Sequence, residues 1–287
     1  MEIQVVQVIL LALIQGAAEL LPVSSSAHVI VAEKLMGIDP STPAMTFLLV
    51  MLHTGTMFSV LLYFWPRWKK LSFHFLKMTM VATAATGVVG LCLKKGIEVF
   101  ILERFYGQSQ GEIEYLFKSL PLIAVSLGLV GLLILGSAFF APPPFKSVKP
   151  VESSFTFLSS TIIGVVQGLC LPFRGFSRSG ATISTGILIG ISKERAEDFS
   201  FALAVILTPP VLLREWLRVR KTWSSGFGGE LLHSLTPGFL GMFFSFIAGW
   251  LALKWLSSWL EKGRWKFFGF YCLFASVGVI TIQVLGF

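Results

Sequence analysis

Eight stretches of this chain, 3–18, 44–65, 78–93, 119–141, 153–173, 199–213, 234–253 and 267–287, contain no aspartate, glutamate, lysine or arginine. No other feature constrains the fold as tightly. A helix crosses a hydrocarbon core with roughly 20 apolar residues. Several windows reach that length, and the others need flanking residues or enter without crossing. Apolar residues within the windows do not alternate with polar ones, which predicts helices rather than barrel strands. Only 13% of residues are charged and the mean hydropathy is +0.79. This excludes a soluble globular class and predicts an all-α integral membrane protein.

The net charge of +8 is dispersed between the windows. That pattern fits positive-inside bias and attraction to anionic headgroups of a lipid bilayer, and no nucleic acid partner is expected. Cys92, Cys170 and Cys272 each fall inside an apolar segment; their number and spacing suggest packing rather than a disulfide framework or metal site. The first residues lack a basic start and a small-residue cleavage site, so 3–18 is expected to belong to the mature protein.

A repeat organises the chain. Ile14-Gln15-Gly16 returns as Val166-Gln167-Gly168, 152 residues later. Each Gln-Gly is followed by a proline, Pro22 or Pro172, and then by a serine cluster, Ser24-Ser25-Ser26 or Ser177-Arg178-Ser179. The same offset carries apolar windows of the first half onto those of the second. The expectation is a single membrane domain over 1–287, with repeat one at 1–141 and repeat two at 153–287. Each half reads as a re-entrant helical hairpin followed by three transmembrane helices. Three crossings are an odd number, so the second half is inverted relative to the first: an inverted-topology repeat whose broken segments meet near the midplane. Pro142-Pro143-Pro144 marks the link between the halves.

Loop charge orients the chain weakly. Segments 66–77, 142–153, 193–198 and 254–266 share one face and are expected to be cytoplasmic, although Arg214, Arg218, Arg220 and Lys221 lie on the other.

The broken segments carry the chemistry. An arginine at membrane depth costs at least about 2.5–3.5 kcal/mol, so it normally faces a cavity and a partner. Arg178 stands between Ser177 and Ser179, with Gly175 and Gly180 nearby and Arg174 and Thr182 a few residues away. Guanidinium, hydroxyls and the positive end of a helix starting near Ser179 form a phosphate-binding set. In the first segment Gln15 and Glu19 are four apart, on one helical face. Glu19 suits a base or a ligand for a hard divalent cation, Mg2+ or Ca2+, with Gln15 as a neutral oxygen ligand beside it. His28 could hold or exchange a proton. Ser24, Ser25 and Ser26 complete the parts for nucleophilic phosphoryl transfer, and the residues leave either Ser25 or His28 as nucleophile.

QGAAELLPVSSSAH and GFSRSGATIS resemble the two signature regions of the undecaprenyl-diphosphate phosphatase family, the bacitracin-resistance phosphatases, and the likeness extends over the whole chain. The resemblance implies an enzyme of the bacterial inner membrane that releases phosphate from a C55 polyprenyl diphosphate lipid, depends on a divalent cation and recycles a cell-wall lipid carrier. It also implies that Glu19, Ser25, His28, Ser177, Arg178 and Thr182 take part in catalysis or phosphate binding. Two departures stand out: the first acid of the family's paired glutamates is Gln15, and the usual Pro-Gly before the serine-arginine motif is Arg174-Gly175. A carrier or flippase of an anionic polyprenyl phosphate is the alternative, because inverted repeats with broken helices also build transporters. Homo-oligomerisation stays open. His53, within Leu52-His53-Thr54-Gly55, reads as a packing or supporting residue, and Ser192 to Asp198 as an acidic helix start.

Overall fold

In the computed structural model the described residues, 4–40, 42–97, 119–142, 155–224 and 228–285, form ten helices and no strand. These are α1 (Val5–Leu20), α2 (Ser25–Leu35), α3 (Pro43–Trp68), α4 (Phe73–Gly96), α5 (Leu120–Phe140), α6 (Phe157–Cys170), α7 (Arg178–Leu188), α8 (Lys193–Ser224), α9 (Gly228–Glu261) and α10 (Lys266–Val284). Six are long and apolar enough to cross a membrane: α3, α4, α5, α8 over Lys193–Lys221, α9 over Leu235–Glu261, and α10. The shorter apolar helices α1 and α6 are the ones that precede the proline-serine breaks. The triple proline, apart from Pro142, lies outside the described residues, as does the whole 98–118 connection.

Starts are capped as the sequence dictates. Thr42 accepts from the Met45 amide at 3.2 Å ahead of Pro43, and Ser72 accepts from the Phe75 amide at 3.3 Å. Thr156 and Ser159 cap α6 reciprocally. Each hydroxyl satisfies a helix-start donor that has no carbonyl partner in its own helix.

The chain divides into two compact units. The first comprises Met1–Leu21, Ser25–Lys69 and Ala204–Ser258. Its apolar core joins Val8, Leu11 and Ala12 of α1 to Val29 and Ala32 of α2 and to Met45, Leu48 and Leu52 of α3. Helix α9 lies against both α1 and α3 through backbone contacts. A Cβ added at Gly16 would stand 2.5 Å from the Ser245 carbonyl oxygen, and one at Gly55 2.3 Å from that of Met242. Hydroxyls tie the same crossing: Ser59 donates to the Phe246 carbonyl at 2.7 Å and Ser245 to the Leu52 carbonyl at 2.9 Å. Between α3 and α9 runs an apolar cavity of about 540 Å3, lined by Gly55, Phe58, Leu61, Trp65, Phe243 and Phe246 among others.

The second unit comprises Pro22–Ser24, Lys70–Leu203 and Trp259–Phe287. Here α6 packs on α4, α7 on α5 and α6, and α5 on α10. The α4–α6 crossing repeats the device of the first unit. A Cβ at Gly164 would meet the Ala82 carbonyl oxygen at 2.2 Å, and Thr86 donates to the Gly164 carbonyl at 2.9 Å. Stacked and edge-on rings of Phe75, Phe155 and Phe199 close one end. Ser276 of α10 donates to the Ala124 carbonyl of α5 at 2.6 Å.

Close backbone approach of this kind replaces the missing hydrophobic drive between helices in lipid. Gly164→Val is therefore expected to destabilise the protein by about 1–3 kcal/mol, because the neighbour at the contact is backbone and cannot rotate away. An unchanged unfolding midpoint in detergent would contradict the α4–α6 spacing.

Candidate active site

The first polar cluster is built by the last turn of α1 and the first turn of α2. Gln15, almost fully buried, and Glu19 face the same way, with the Gln15 side-chain nitrogen 3.3 Å from Oε2 of Glu19. After α1 the chain turns through Pro22, Val23 and Ser24. Ser24 takes φ +67°, a left-handed conformation rare for a residue with a side chain; such backbone persists only where its surroundings hold it, at a cost of about 1–3 kcal/mol. The turn returns the chain so that Ser25, first residue of α2, donates its hydroxyl to Oε2 of Glu19 at 2.5 Å. His28 follows on α2 three residues after Ser25, on the same helical face and half-buried.

A third side chain completes the cluster. His53 of α3 places Nε2 3.9 Å from Oε2 of Glu19, while its Nδ1 lies 2.8 Å from the Leu49 carbonyl oxygen one turn back. Helix α9 explains the meeting. Ser245 lies against Gly16, one turn before Glu19, and holds the Leu52 carbonyl, one residue before His53. Both helices are thus registered on the same point of α9. The sequence reading of His53 as a packing or supporting residue did not name Glu19 as its neighbour, since 34 residues separate the two. The available signal was a lone imidazole in an otherwise apolar spanning helix.

The second cluster is the start of α7, in the other unit. Gly175, at φ +101°, passes so close to α5 that a Cβ would meet the Ile123 carbonyl oxygen at 2.4 Å. Only glycine combines that conformation with that approach. The chain then enters α7 with Ser177 as its cap, accepting from the Gly180 amide at 3.1 Å. Arg178 is therefore the first helical residue, one position earlier than expected. Ser177 and Ser179 hydroxyls are 3.3 Å apart and both buried. Thr182 is buried, its hydroxyl 2.9 Å from the Arg178 carbonyl and 2.6 Å from the Ser200 hydroxyl. It braces the first turn of α7 against α8. Arg174, in the preceding turn, is exposed.

The structure thus gathers Gln15, Glu19 and Ser25, flanked in sequence by Ser24 and Ser26, and adds His53. Separately it gathers Ser177, Arg178, Ser179 and Thr182. The repeat counterpart of Gln15 keeps different company. Gln167 is fully buried and donates to the Thr86 hydroxyl at 3.2 Å, and the position matching Glu19 is Leu171. Only the first hairpin carries an acid.

The donor set around Glu19 fits a divalent cation. One carboxylate stands with an amide, a hydroxyl and an imidazole, all within 3.9 Å of a single oxygen. Among the described residues no group of three or more His, Cys, Asp and Glu could hold a metal, so neutral oxygens must supply part of any shell.

Six helices able to cross a membrane, with a carboxylate-paired serine at one helix start and an arginine between serines at another, define a multi-pass α-helical membrane protein. The chain belongs to the family described as bacitracin resistance protein BacA, whose model matches residues 8–278. It is 53% identical over 286 residues to a protein of Acinetobacter baylyi named undecaprenyl-diphosphatase 2, covering 96% of each chain. It is 33% identical to an undecaprenyl-diphosphatase of Bacteroides fragilis, covering 97% of each, and 30% identical to undecaprenyl-diphosphatase 2 of Burkholderia orbicola, covering 94% of this chain and 93% of the relative.

Proposed function

We propose that the protein hydrolyses undecaprenyl (C55 polyprenyl) diphosphate to the monophosphate and inorganic phosphate in the bacterial inner membrane, recycling the lipid carrier of cell-wall synthesis. The observation that carries this reading is the 2.5 Å hydrogen bond from Ser25 to Glu19 at the start of α2. A serine hydroxyl is a weak nucleophile unless a neighbouring base takes its proton, and Glu19 is that base. As the Ser25 oxygen bonds to the terminal phosphorus, its proton passes to the Glu19 carboxylate. The bond from phosphorus to the bridging oxygen breaks, and polyprenyl monophosphate leaves. Water then cleaves the phosphoserine, releasing inorganic phosphate and restoring the hydroxyl. His28, on the same face of α2, is placed to exchange protons with the leaving oxygen or the water.

Arg178 binds the phosphate oxygens with its planar fork, helped by the positive end of α7 and the Ser177 and Ser179 hydroxyls. Thr182 acts through its bond to the Arg178 carbonyl. Ser24, Ser26 and Arg174 add contacts to the diphosphate. Glu19 and Gln15 would hold a divalent cation, which when bound offsets the negative charge of the diphosphate. The apolar cavity between α3 and α9 is lined in part by Gly55, two residues beyond His53, and takes part of the polyprenyl tail. Both hairpins belong to one inverted repeat within a single membrane domain. The reciprocal packing supports it: α1 rests on α9 as its counterpart α6 rests on α4.

Purified protein in detergent has no second compartment to transport into. It is expected to release one inorganic phosphate per polyprenyl diphosphate, and Glu19→Gln is expected to lose this with expression unchanged. Stoichiometric binding of the lipid without phosphate release would establish a carrier instead.

A further inference from the structure

We infer that His53 is a nitrogen ligand of the cation held at Glu19, which makes this a mixed nitrogen and oxygen site selective for a first-row ion such as Mn2+ over Mg2+ or Ca2+. The inference rests on the reading that Glu19 holds a cation. Three observations carry it.

The first is the fixed face of the ring. A carbonyl oxygen can only accept, so Nδ1, 2.8 Å from the Leu49 oxygen, carries the proton. In a neutral ring that leaves the Nε2 lone pair on the Glu19 side. A backbone carbonyl on one ring nitrogen with the other turned to a carboxylate is the arrangement that orients metal-bound histidines.

Distance supplies the second. At 3.9 Å, Nε2 and Oε2 are too far apart for a hydrogen bond. Two bonds of about 2.0–2.2 Å to one shared ion span that separation at an open angle. The His53 side chain is 37% exposed, so an ion can reach it.

Charge is the third. The site has one carboxylate, and the residue beside it is Gln15. Hard cations follow ligand charge, so a neutral amide weakens the hold on Mg2+ and Ca2+. An imidazole adds no charge but raises affinity along the first-row series. The shell therefore moves from hard oxygen chemistry toward ions that accept nitrogen. Contacts of α3 with α9 at Gly55 and Ser59 keep the helix from rotating and hold the ring in place.

The test uses purified full-length protein in detergent with Mn2+ alone as probe. Pulsed electron paramagnetic resonance is expected to show nitrogen-14 modulation from one imidazole, lost in His53→Gln and kept in His28→Gln. Titration is expected to give Mn2+ binding tighter than Ca2+ binding, with His53→Gln weakening Mn2+ about tenfold or more and leaving Ca2+ little changed. Mn2+ that binds in a Glu19-dependent manner without nitrogen modulation would overturn the His53 ligand while leaving the cation at Glu19. Modulation that follows His28 instead would do the same. Mn2+ binding unaffected by Glu19→Gln, or absent altogether, would remove both.

Discussion

Ser25→Ala is expected to lower phosphate release by on the order of 10³-fold or more, since removing a nucleophile ends the covalent route rather than slowing it. The substitution deletes one oxygen from a half-buried helix start and leaves no cavity, so the unfolding midpoint should hold. Chemistry separates Ser25 from its rival. A substrate labelled in the terminal phosphate, quenched during turnover, should leave label on wild-type protein that survives acid, as a phosphoserine does. Label that is acid-labile and persists in Ser25→Ala would assign attack to His28.

The second large effect is expected at Arg178. Arg178→Lys keeps the charge but replaces a planar fork of donors with a point charge, and bidentate phosphate binding goes with it. A loss of at least about tenfold in activity is expected. It should appear in kcat as well as KM if the guanidinium binds the charge that develops during transfer. Helix α7 should be undisturbed, because its cap is the Ser177 hydroxyl and its brace the Thr182 hydroxyl. Near-wild-type turnover by Arg178→Lys would end the case for a phosphate cradle at this helix start.

Much of this arrangement was legible before any coordinates. Uncharged windows marked every described spanning helix, and the serine breaks after α1 and α6 marked where the short helices α2 and α7 begin. What misled was reading charge as loop. Helix α8 begins at Lys193, as the acidic helix start predicts, but runs on to Ser224, so Arg214, Arg218 and Arg220 lie on helix rather than in a connection. Likewise α9 continues through Lys254 to Glu261. Lysine, arginine and glutamate are good helix formers, and a helix need not stop where its apolar run does. Glu197, in the segment read as an acidic helix start, is almost fully buried.

Part of the site was hidden for a different reason. Gln15 and Glu19 shared a face by spacing alone, but nothing in three consecutive serines says which one meets the acid. That choice is made by the left-handed backbone of Ser24, which aims Ser25. His53 reaches Glu19 because α1 and α3 pack on each other and both rest on α9, a tertiary fact that no local pattern carries.

The glycine crossings have a consequence for how such a protein can change over generations. Where helices touch through backbone at Gly16, Gly55 and Gly164, their separation is written in atoms that every amino acid shares. Outward-facing residues such as Val88, Leu91, Leu129 and Phe274 stand largely exposed and set none of these separations. Substitutions in that outer coat can follow the lipids of the membrane without moving the spacing that brings an acid, a hydroxyl and an imidazole together, whereas a side chain added at the glycines would move it. Adaptation to a new membrane and preservation of the chemistry are thus assigned to different residues, and selection can act on one without disturbing the other.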